Sequence, residues 1–366
     1  MTQIKIARSP EELTPAWLTA ALRESGVIRE ASVTSTASEP VGAGSGFIGQ
    51  LARVKLTYDR AEAGAPASLI AKLPTLDPGG RGIGNLFRFY EREIRFYEEV
   101  AGNSELSVPK RLYSAMDVPG DEFILLIEDL APAAVGDQIV GCTIAQAELA
   151  FRSVAKFHAA WWESAALDKL EWMPDINAPV MQAAQGAYQQ SWGPFCQMFG
   201  DHLSAEMRAT GEELQHHIVD IQDLLVRAPR TINHGDFRGD NMFFGTAEGG
   251  APYTLADWQI ASKGRGAFDI AYFTTSSLTS ADRKTHEMRL LRLWHDALSE
   301  HGVQGYAWDQ AVLDYRLSAL YSWMYVAIAV GSLDPANERG MALFNAWVQR
   351  CSTAVAELDA GALMPG

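Results

Sequence analysis

This sequence is poor in the features that mark secreted, membrane-spanning or nucleic-acid-binding chains. Its three cysteines, Cys142, Cys196 and Cys351, are scattered over 366 residues, too few and too far apart for a disulfide framework or a zinc site. Three buried, inert thiols in a reducing compartment are expected. Positive charge is in the minority. The 30 Lys and Arg against 45 Asp and Glu give a formal charge of −15, which argues against nucleic acid or an anionic membrane as the main partner. Met1 to Lys5 lack the apolar core of a signal peptide. The most apolar later stretch, near Leu317 to Val330, is interrupted by Ser318 and Ser322 and carries several aromatics. A buried helix is expected there rather than a membrane span, with a cytoplasmic location for the chain. Internal repeats and low-complexity tracts are absent. A content of 48% hydrophobic and 20% charged residues is ordinary for a globular protein, and the length suffices for two lobes, each with a core.

Against this plain background one constellation stands out: His234-Gly235-Asp236, then Asn241, then Asp257-Trp258-Gln259. Asp236 and Asn241 are five positions apart. In the protein-kinase pattern H-R-D-x-x-x-x-N, followed by D-F-G, the same spacing joins an Asp that takes the acceptor's proton to an Asn that holds a metal. The Asp of the later triplet holds another metal. A lone H-G-D would read as a surface turn. The combined spacing reads as phosphoryl transfer.

Local pattern suggests how these residues meet. Met242-Phe243-Phe244 is apolar, Thr246 to Ala251 has turn composition, and Tyr253 to Ala256 reads as a second short strand. Together they form a β-hairpin. If Met242 pairs roughly with Ala256, then Asn241 and Asp257 sit side by side at its open end. With Asp236 nearby they would offer hard oxygen ligands suited to Mg²⁺.

Further upstream, Pro10 to Glu24 reads as one amphipathic helix. Val33 to Val41 and Leu51 to Tyr58 read as strands, the second alternating Ala52, Val54, Leu56 and Tyr58 with Arg53, Lys55 and Thr57. Between them Gly44-Ser45-Gly46 sits in a glycine-rich turn whose backbone amides could approach phosphate oxygens. Ser68 to Lys72 reads as a third strand with Lys72 at its end, and Gly79 to Gly84 as a flexible loop. Leu86 to Val100 has a helical apolar stripe, with Glu93 on its edge, where an ionised carboxylate needs a partner. Lys72 is the partner expected, a strand lysine paired to a helix glutamate to hold nucleotide phosphates. The strand Glu122 to Ile127 runs into Glu128-Asp129-Leu130, where the sheet lobe would pass into the helical lobe and adenine would meet backbone groups. Ala145 to Trp162 is a strong helix. His158 on its apolar stripe is expected to be a satisfied core histidine and not a catalytic one. Val180 to Leu225, Ser280 to His301 and Trp308 to Leu358 read as largely helical.

With these motifs, the chain resembles the aminoglycoside-phosphotransferase-like superfamily of small-molecule kinases, and within it bacterial relatives of the ecdysteroid-kinase-like group. The residues carrying the resemblance are Glu93-Ile94-Arg95-Phe96-Tyr97, Glu128-Asp129-Leu130, the stretch from His234 to Asn241, Asp257-Trp258-Gln259 and Asp269-Ile270-Ala271-Tyr272. It runs from about Gly42 to about Ser277. It implies an α+β, two-lobed, protein-kinase-like fold: an N-lobe over residues 1–128 built on a small antiparallel sheet, and a larger helical C-lobe over 129–366. It also implies ATP and Mg²⁺ as cofactors and a hydroxylated small molecule as substrate. Asp236 would be the catalytic Asp, and Asn241 and Asp257 the metal ligands. Lys72 would contact the α- and β-phosphates, with Glu93 orienting it. Gly44, Ser45, Gly46, Glu128 and Leu130 would complete the nucleotide site. Asp269 and His234 would shape the catalytic loop, while Arg238 and Asp240 have no firm role.

Two departures separate the chain from regulated protein kinases. Gly235 stands where they carry an Arg that meets a phosphorylated activation loop. Asp257 to Asp269 spans only twelve residues, with no A-P-E triplet. Both favour a small-molecule kinase that is not switched by phosphorylation. Of the aromatics Trp161, Trp162, Trp192, Phe195, Phe199, Tyr321, Trp323 and Tyr325, most are expected in the core; a few lining the pocket beside Asp236 would favour an apolar or amphipathic alcohol, sterol-like, terpenoid, aromatic or hydroxyacyl. The alternatives are an aminoglycoside-type acceptor, or a nucleotide-binding pseudokinase acting as an interaction module.

Overall fold

The Thr14-Pro15 step decides how the chain begins. A residue before proline is pushed away from helical backbone angles, and Thr14 is extended, its hydroxyl accepting from the Trp17 amide. Helix α1 therefore runs Pro15–Glu24, and Pro10–Glu12 form a separate 3-10 turn, so the single helix expected from Pro10 is broken. The structure is a computed structural model, and it describes residues 4–41, 49–103, 105–118, 122–332 and 338–365. The chain divides into two compact units, Met1–Asn103 with Val108–Pro132, and Ser104–Ser107 with Ala133–Gly366.

The first unit is built on a sheet of strands β1 (Val33–Pro40), β2 (Gly49–Tyr58), β3 (Ser68–Pro74), β4 (Arg111–Asp117) and β5 (Glu122–Glu128). Their order is β1-β2-β3-β5-β4, antiparallel throughout. Val54 and Leu56 of β2 are buried with Leu69, Ala71 and Leu126, and α1 adds Leu18 and Leu22 to this core. Lys72 pairs with Leu125 inside β3 and is followed by two more strand residues, not at its end as expected. Residues Gly79 to Gly84, read from sequence as a loop, lie in helix α2 (Pro78–Leu86). Asp77 caps it by accepting from the Gly80 amide, and Pro78 starts it. Each internal glycine costs a helix about 0.5–1 kcal/mol against alanine, but at Gly84 a Cβ would sit only 2.9 Å from the Tyr90 ring. Helix α3 (Phe89–Arg95) continues as a π-helical turn through Val100.

The second unit is mostly helical. It comprises β6 (Ala134–Val135), α4 (Ile144–Trp161), α5 (Pro179–Phe199), α6 (Ala205–Leu214), α7 (Ile218–Leu225), β7 (Thr231–Asn233), β8 (Met242–Thr246), β9 (Gly249–Leu255), β10 (Ser262–Gly264), α8 (Ala267–Ser277), α9 (Ser280–Glu300), α10 (Trp308–Ser332) and α11 (Glu338–Glu357). The strands form two small sheets, β6-β8-β9 and β10-β7. A capping box between Thr143 and Gln146 starts α4, whose stripe Ala147, Phe151, Val154, His158 and Trp161 is buried.

On α5 the rings of Tyr188, Trp192, Phe195 and Phe199 stack at helical spacing, with centroids 5.6, 5.4 and 6.1 Å apart. Trp323 of α10 meets Phe195 edge-on at 5.3 Å. The stretch expected as a buried helix lies in α10, and among the described residues no helix is long and apolar enough to cross a membrane. Of the thiols, Cys142 and Cys351 are buried, and desolvation pushes each up to about 12. Cys196 is only half-buried, contrary to expectation, because it packs against the helical core from outside instead of lying within it.

Helices α5 and α10 approach closely at Gly331, where a Cβ would lie 2.2 Å from the Ser191 carbonyl oxygen. We expect Gly331→Ala to lower the unfolding free energy by about 1–3 kcal/mol, read as a reduced midpoint in chemical denaturation with unchanged slope.

Candidate functional site

A single buried carboxylate organises the loop from His234 to Asn241. Asp269, in the first turn of α8, is fully buried. Its Oδ2 accepts from the His234 backbone N–H at 2.7 Å and its Oδ1 from that of Gly235 at 3.0 Å. His158 Nε2 lies 3.2 Å from Oδ2, while His158 Nδ1 accepts from the Trp294 indole at 3.1 Å. That arrangement places the His158 proton on Nε2, facing Asp269. His158 is therefore a satisfied core residue, as its place on the α4 stripe implied.

Gly235 adopts φ 87°, and a Cβ there would be 2.4 Å from the Ile260 carbonyl oxygen. Only glycine fits this turn. His234 accepts at Nδ1 from the Asp236 amide, 3.2 Å away, and donates from Nε2 to the Ala256 carbonyl at 2.9 Å. Its ring rests against Trp258, 4.6 Å between centroids. Both sides of the imidazole are thus used in holding loop to hairpin.

Hairpin β8–β9 pairs Met242 with Leu255, one position from the expected Ala256. Its turn is tighter and its second strand longer than expected, because Gly249 and Gly250 take positive φ and remain in the strand. The Ala256 amide donates to the Asn241 carbonyl at 3.0 Å, so Asp257 follows directly on the residue paired with Asn241. Asp257 itself is left-handed, φ 67°. Asp tolerates this region better than most residues, yet such backbone is uncommon outside functional or turn positions.

Asp236 is nearly enclosed, its side chain 13% exposed. Asn241 Nδ2 donates both to its backbone oxygen at 2.8 Å and to Oδ2 at 3.0 Å. Arg238 Nε lies 3.0 Å from the same Oδ2 as an ion pair, off the hydrogen-bond axis. On the other side, the Tyr272 hydroxyl donates to Oδ1 at 2.9 Å. Burial would lower the Arg238 pKa, but Asp236, Tyr272, Asp240 and Asp257 outweigh it and raise it. Desolvation first, then the Asp236 charge, holds the Tyr272 phenol well above its ordinary value.

With its amide hydrogens on Asp236, Asn241 has its side-chain oxygen to offer a ligand, and Asp257 follows the residue its backbone pairs with. Among the described residues no group of three or more His, Cys, Asp or Glu could hold a metal by itself. Two hard oxygen donors do fit Mg²⁺, which typically takes one or two protein ligands and completes its shell with phosphate oxygens and water.

In the first unit, Lys72 Nζ and Glu93 Oε1 are 2.6 Å apart, with side chains 13% and 3% exposed. Such buried pairs add little net stability, so stability alone gives this one little reason to exist. Arg53 and Ser68, with the Ala131 amide, fix Asp129 at the end of β5. Next to it the Glu128 side chain is exposed and accepts from the Lys110 amide. The Glu128 amide donates to the Lys110 carbonyl, and Leu130 is half-buried. Gly44, Ser45 and Gly46 lie outside the described residues.

Sequence reasoning missed three participants. Gln138 was unremarked, yet its amide donates to Asp240 and its side chain accepts from Arg238, giving those two residues loop-bracing roles. Tyr272 was only a motif letter, although its place three residues after Asp269 on one helix was a usable signal. Trp347 of α11 lies 6.2 Å from the Tyr272 ring, with Tyr325 at 5.7 Å and Phe268 at 5.8 Å. Of the eight aromatics singled out in the sequence, Tyr325 alone makes a ring contact with Tyr272. Trp192, Phe195, Phe199, Tyr321 and Trp323 belong to the same helical core as Phe268, Tyr272 and Trp347, Trp161 is buried on α4, and Trp162 packs on Trp294 and Tyr306.

Comparison with known proteins bears on the whole arrangement. The model of the ecdysteroid kinase-like family matches residues 43–304, reaching past the Ser277 limit suggested by motifs. No curated protein matches the sequence. Among solved structures, the chain is similar to a candidate aminoglycoside phosphotransferase from Ralstonia eutropha JMP134, with 14% identity over 95% of this chain and 98% of that one, and a TM-score of 0.55. It is also similar to choline kinase from Cryptosporidium parvum Iowa II, with 10% identity over 96% and 95% and a TM-score of 0.56. A third is the GDP and kanamycin complex of an aminoglycoside 2″-phosphotransferase, with 12% identity over 93% and 98% and a TM-score of 0.53. These likenesses establish the fold: a mixed protein-kinase-like one, with an antiparallel N-terminal sheet and a helical C-terminal region. The family match covers 262 of the 366 residues, and the chain belongs to the ecdysteroid kinase-like family, as a small-molecule phosphotransferase acting on a hydroxyl group.

Proposed function

We propose that this phosphotransferase moves the γ-phosphoryl group of ATP to the hydroxyl of an apolar or amphipathic alcohol. Asp236 takes the acceptor's proton as the hydroxyl oxygen bonds to phosphorus and the bond to the β–γ bridging oxygen breaks. Lys72, oriented by Glu93, holds the α- and β-phosphates, while Asn241 and Asp257 hold Mg²⁺. Bound there, Mg²⁺ neutralises charge on the phosphate oxygens. Arg238 and Asn241 hold the Asp236 carboxylate in place, so the work of the protein is positioning and electrostatics.

The choice of acceptor rests on one observation, the rings of Tyr272, Tyr325 and Trp347 packed together beside Asp236. Charge distribution agrees with it. Helix α5 has no charged residue over its whole length, and α10 has none from Leu317 to Ser332. The neighbouring complex with GDP and kanamycin has this fold with an aminoglycoside bound. A polycation of that kind wants clustered carboxylates, which these segments do not supply.

Asp236→Ala should reduce turnover at least about 100-fold, the low end for a general base, with ATP affinity nearly unchanged by calorimetry. Asp257→Ala should abolish the Mg²⁺-dependent part of nucleotide binding in the same assay. Incubation with ATP and a mixed alcohol library, followed by mass spectrometry, should show one added phosphoryl group on apolar or amphipathic alcohols. Phosphorylation confined to aminoglycosides would overturn the acceptor assignment. Intact ATP binding with no product on any class would point to a pseudokinase.

A further inference from the structure

Asp236 offers two carboxylate oxygens, and the protein uses them unequally. Oδ2 takes the Asn241 amide at 3.0 Å and the Arg238 guanidinium at 3.0 Å. Among the described residues Oδ1 takes one donor, the Tyr272 hydroxyl at 2.9 Å. An acceptor alcohol must itself donate an O–H to this carboxylate before its proton can be taken. Tyr272 therefore makes, with a phenol, the same hydrogen bond that the substrate would make.

We infer that Tyr272 is a positioning residue that caps Asp236 Oδ1 against water, yielding this oxygen to an acceptor that also packs on the surrounding rings. This deepens the assignment of Asp236 as proton acceptor and rests on it. The Tyr272 ring is held by Phe268, Tyr325 and Trp347 and the residue is 2% exposed, so the cap opens by a turn of the phenolic O–H and not by movement of the ring. Its backbone is fixed too. Asp269, one turn earlier on α8, anchors the His234 and Gly235 amides. One helix thus sets both the loop and the cap. Burial and the Asp236 charge keep the phenol protonated, so it serves as a donor.

The cap discriminates by what a competitor can give back. A hydrogen bond to a charged group is worth roughly ten- to a hundredfold in an equilibrium. Water displacing Tyr272 recovers that bond and nothing else. An alcohol with an apolar body also buries surface against Tyr325 and Trp347, which favours its entry over that of water. Without the cap, a water oxygen could bond to the γ-phosphorus as the bond to the ADP oxygen breaks. Its proton would pass to Asp236, and the products would be ADP and phosphate.

The test is ATP hydrolysis by the full chain with Mg²⁺ and no alcohol, followed by phosphate release. Tyr272→Phe should hydrolyse ATP about tenfold faster than the wild type. Tyr272→Leu, which also lacks the hydroxyl, should show the same rise, and Asp236→Asn added to either variant should remove it. Unchanged hydrolysis rate in both Tyr272 variants, with thermal midpoints near wild type and hydrolysis lost in Asp236→Asn, would overturn the cap while leaving Asp236 in its role. Equal hydrolysis in wild type and Asp236→Asn would instead remove Asp236 from the reaction, and the cap with it.

Discussion

The fully buried carboxylate of Asp269 is the constraint on which the rest of the site depends. A buried charge is costly unless several donors meet it, and here the donors are two consecutive backbone amides and a histidine. Its need for partners and the loop's need for a fixed shape are met by the same three contacts. Remove any one of the donors and a buried anion loses solvation, so the loop is held by the cost of leaving its place. Because Asp269 sits on a helix packed in the core, the turn at Gly235 inherits the rigidity of α8.

From that fixed turn the geometry propagates in short steps. His234 joins the loop to the hairpin through its two ring nitrogens, the hairpin register sets Asn241 opposite Ala256, and Asp257 follows in a left-handed conformation. Asn241 then returns to Asp236, closing a circuit of hydrogen bonds that begins and ends within eight residues of His234. Preorganisation of this kind suits phosphoryl transfer, in which the protein contributes little covalent chemistry and much fixed charge.

How legible this was in the sequence differs sharply between elements. The period-two pattern of β2, the stripe of α4 and the spacing from Asp236 to Asp257 are short-range signals, and the fold and family reading drew on them directly. The Lys72–Glu93 contact could be anticipated because an ionised residue on a buried helix edge needs a partner. Other features depended on balances that local pattern does not reveal. Glycines at 79, 80, 82 and 84 look like a loop, yet the Asp77 cap and the packing of Gly84 on Tyr90 make them helical. Pro15 splits a helix whose apolar stripe seemed continuous. Tyr272 and Trp347 lie 75 positions apart in the sequence, and only tertiary packing brings their rings together. The eight aromatics chosen by type were mostly core, because a large ring in a helical unit is first of all packing material.

The separation of α5, α10 and α11 from the loop–hairpin circuit has a consequence for descent. The residues proposed for proton transfer and Mg²⁺, Asp236, Asn241 and Asp257, occupy a compact stretch between β7 and α8, whereas the rings and uncharged faces assigned to the acceptor lie mostly on helices encoded elsewhere. Substitutions can accumulate in those helices, and new alcohols can be tried, without disturbing the parts that handle phosphate. Tyr272 is the exception, since it belongs to both. It marks the point at which drift in substrate choice begins to be felt by the reaction itself, and a lineage changing its alcohol would have to do so around that phenol.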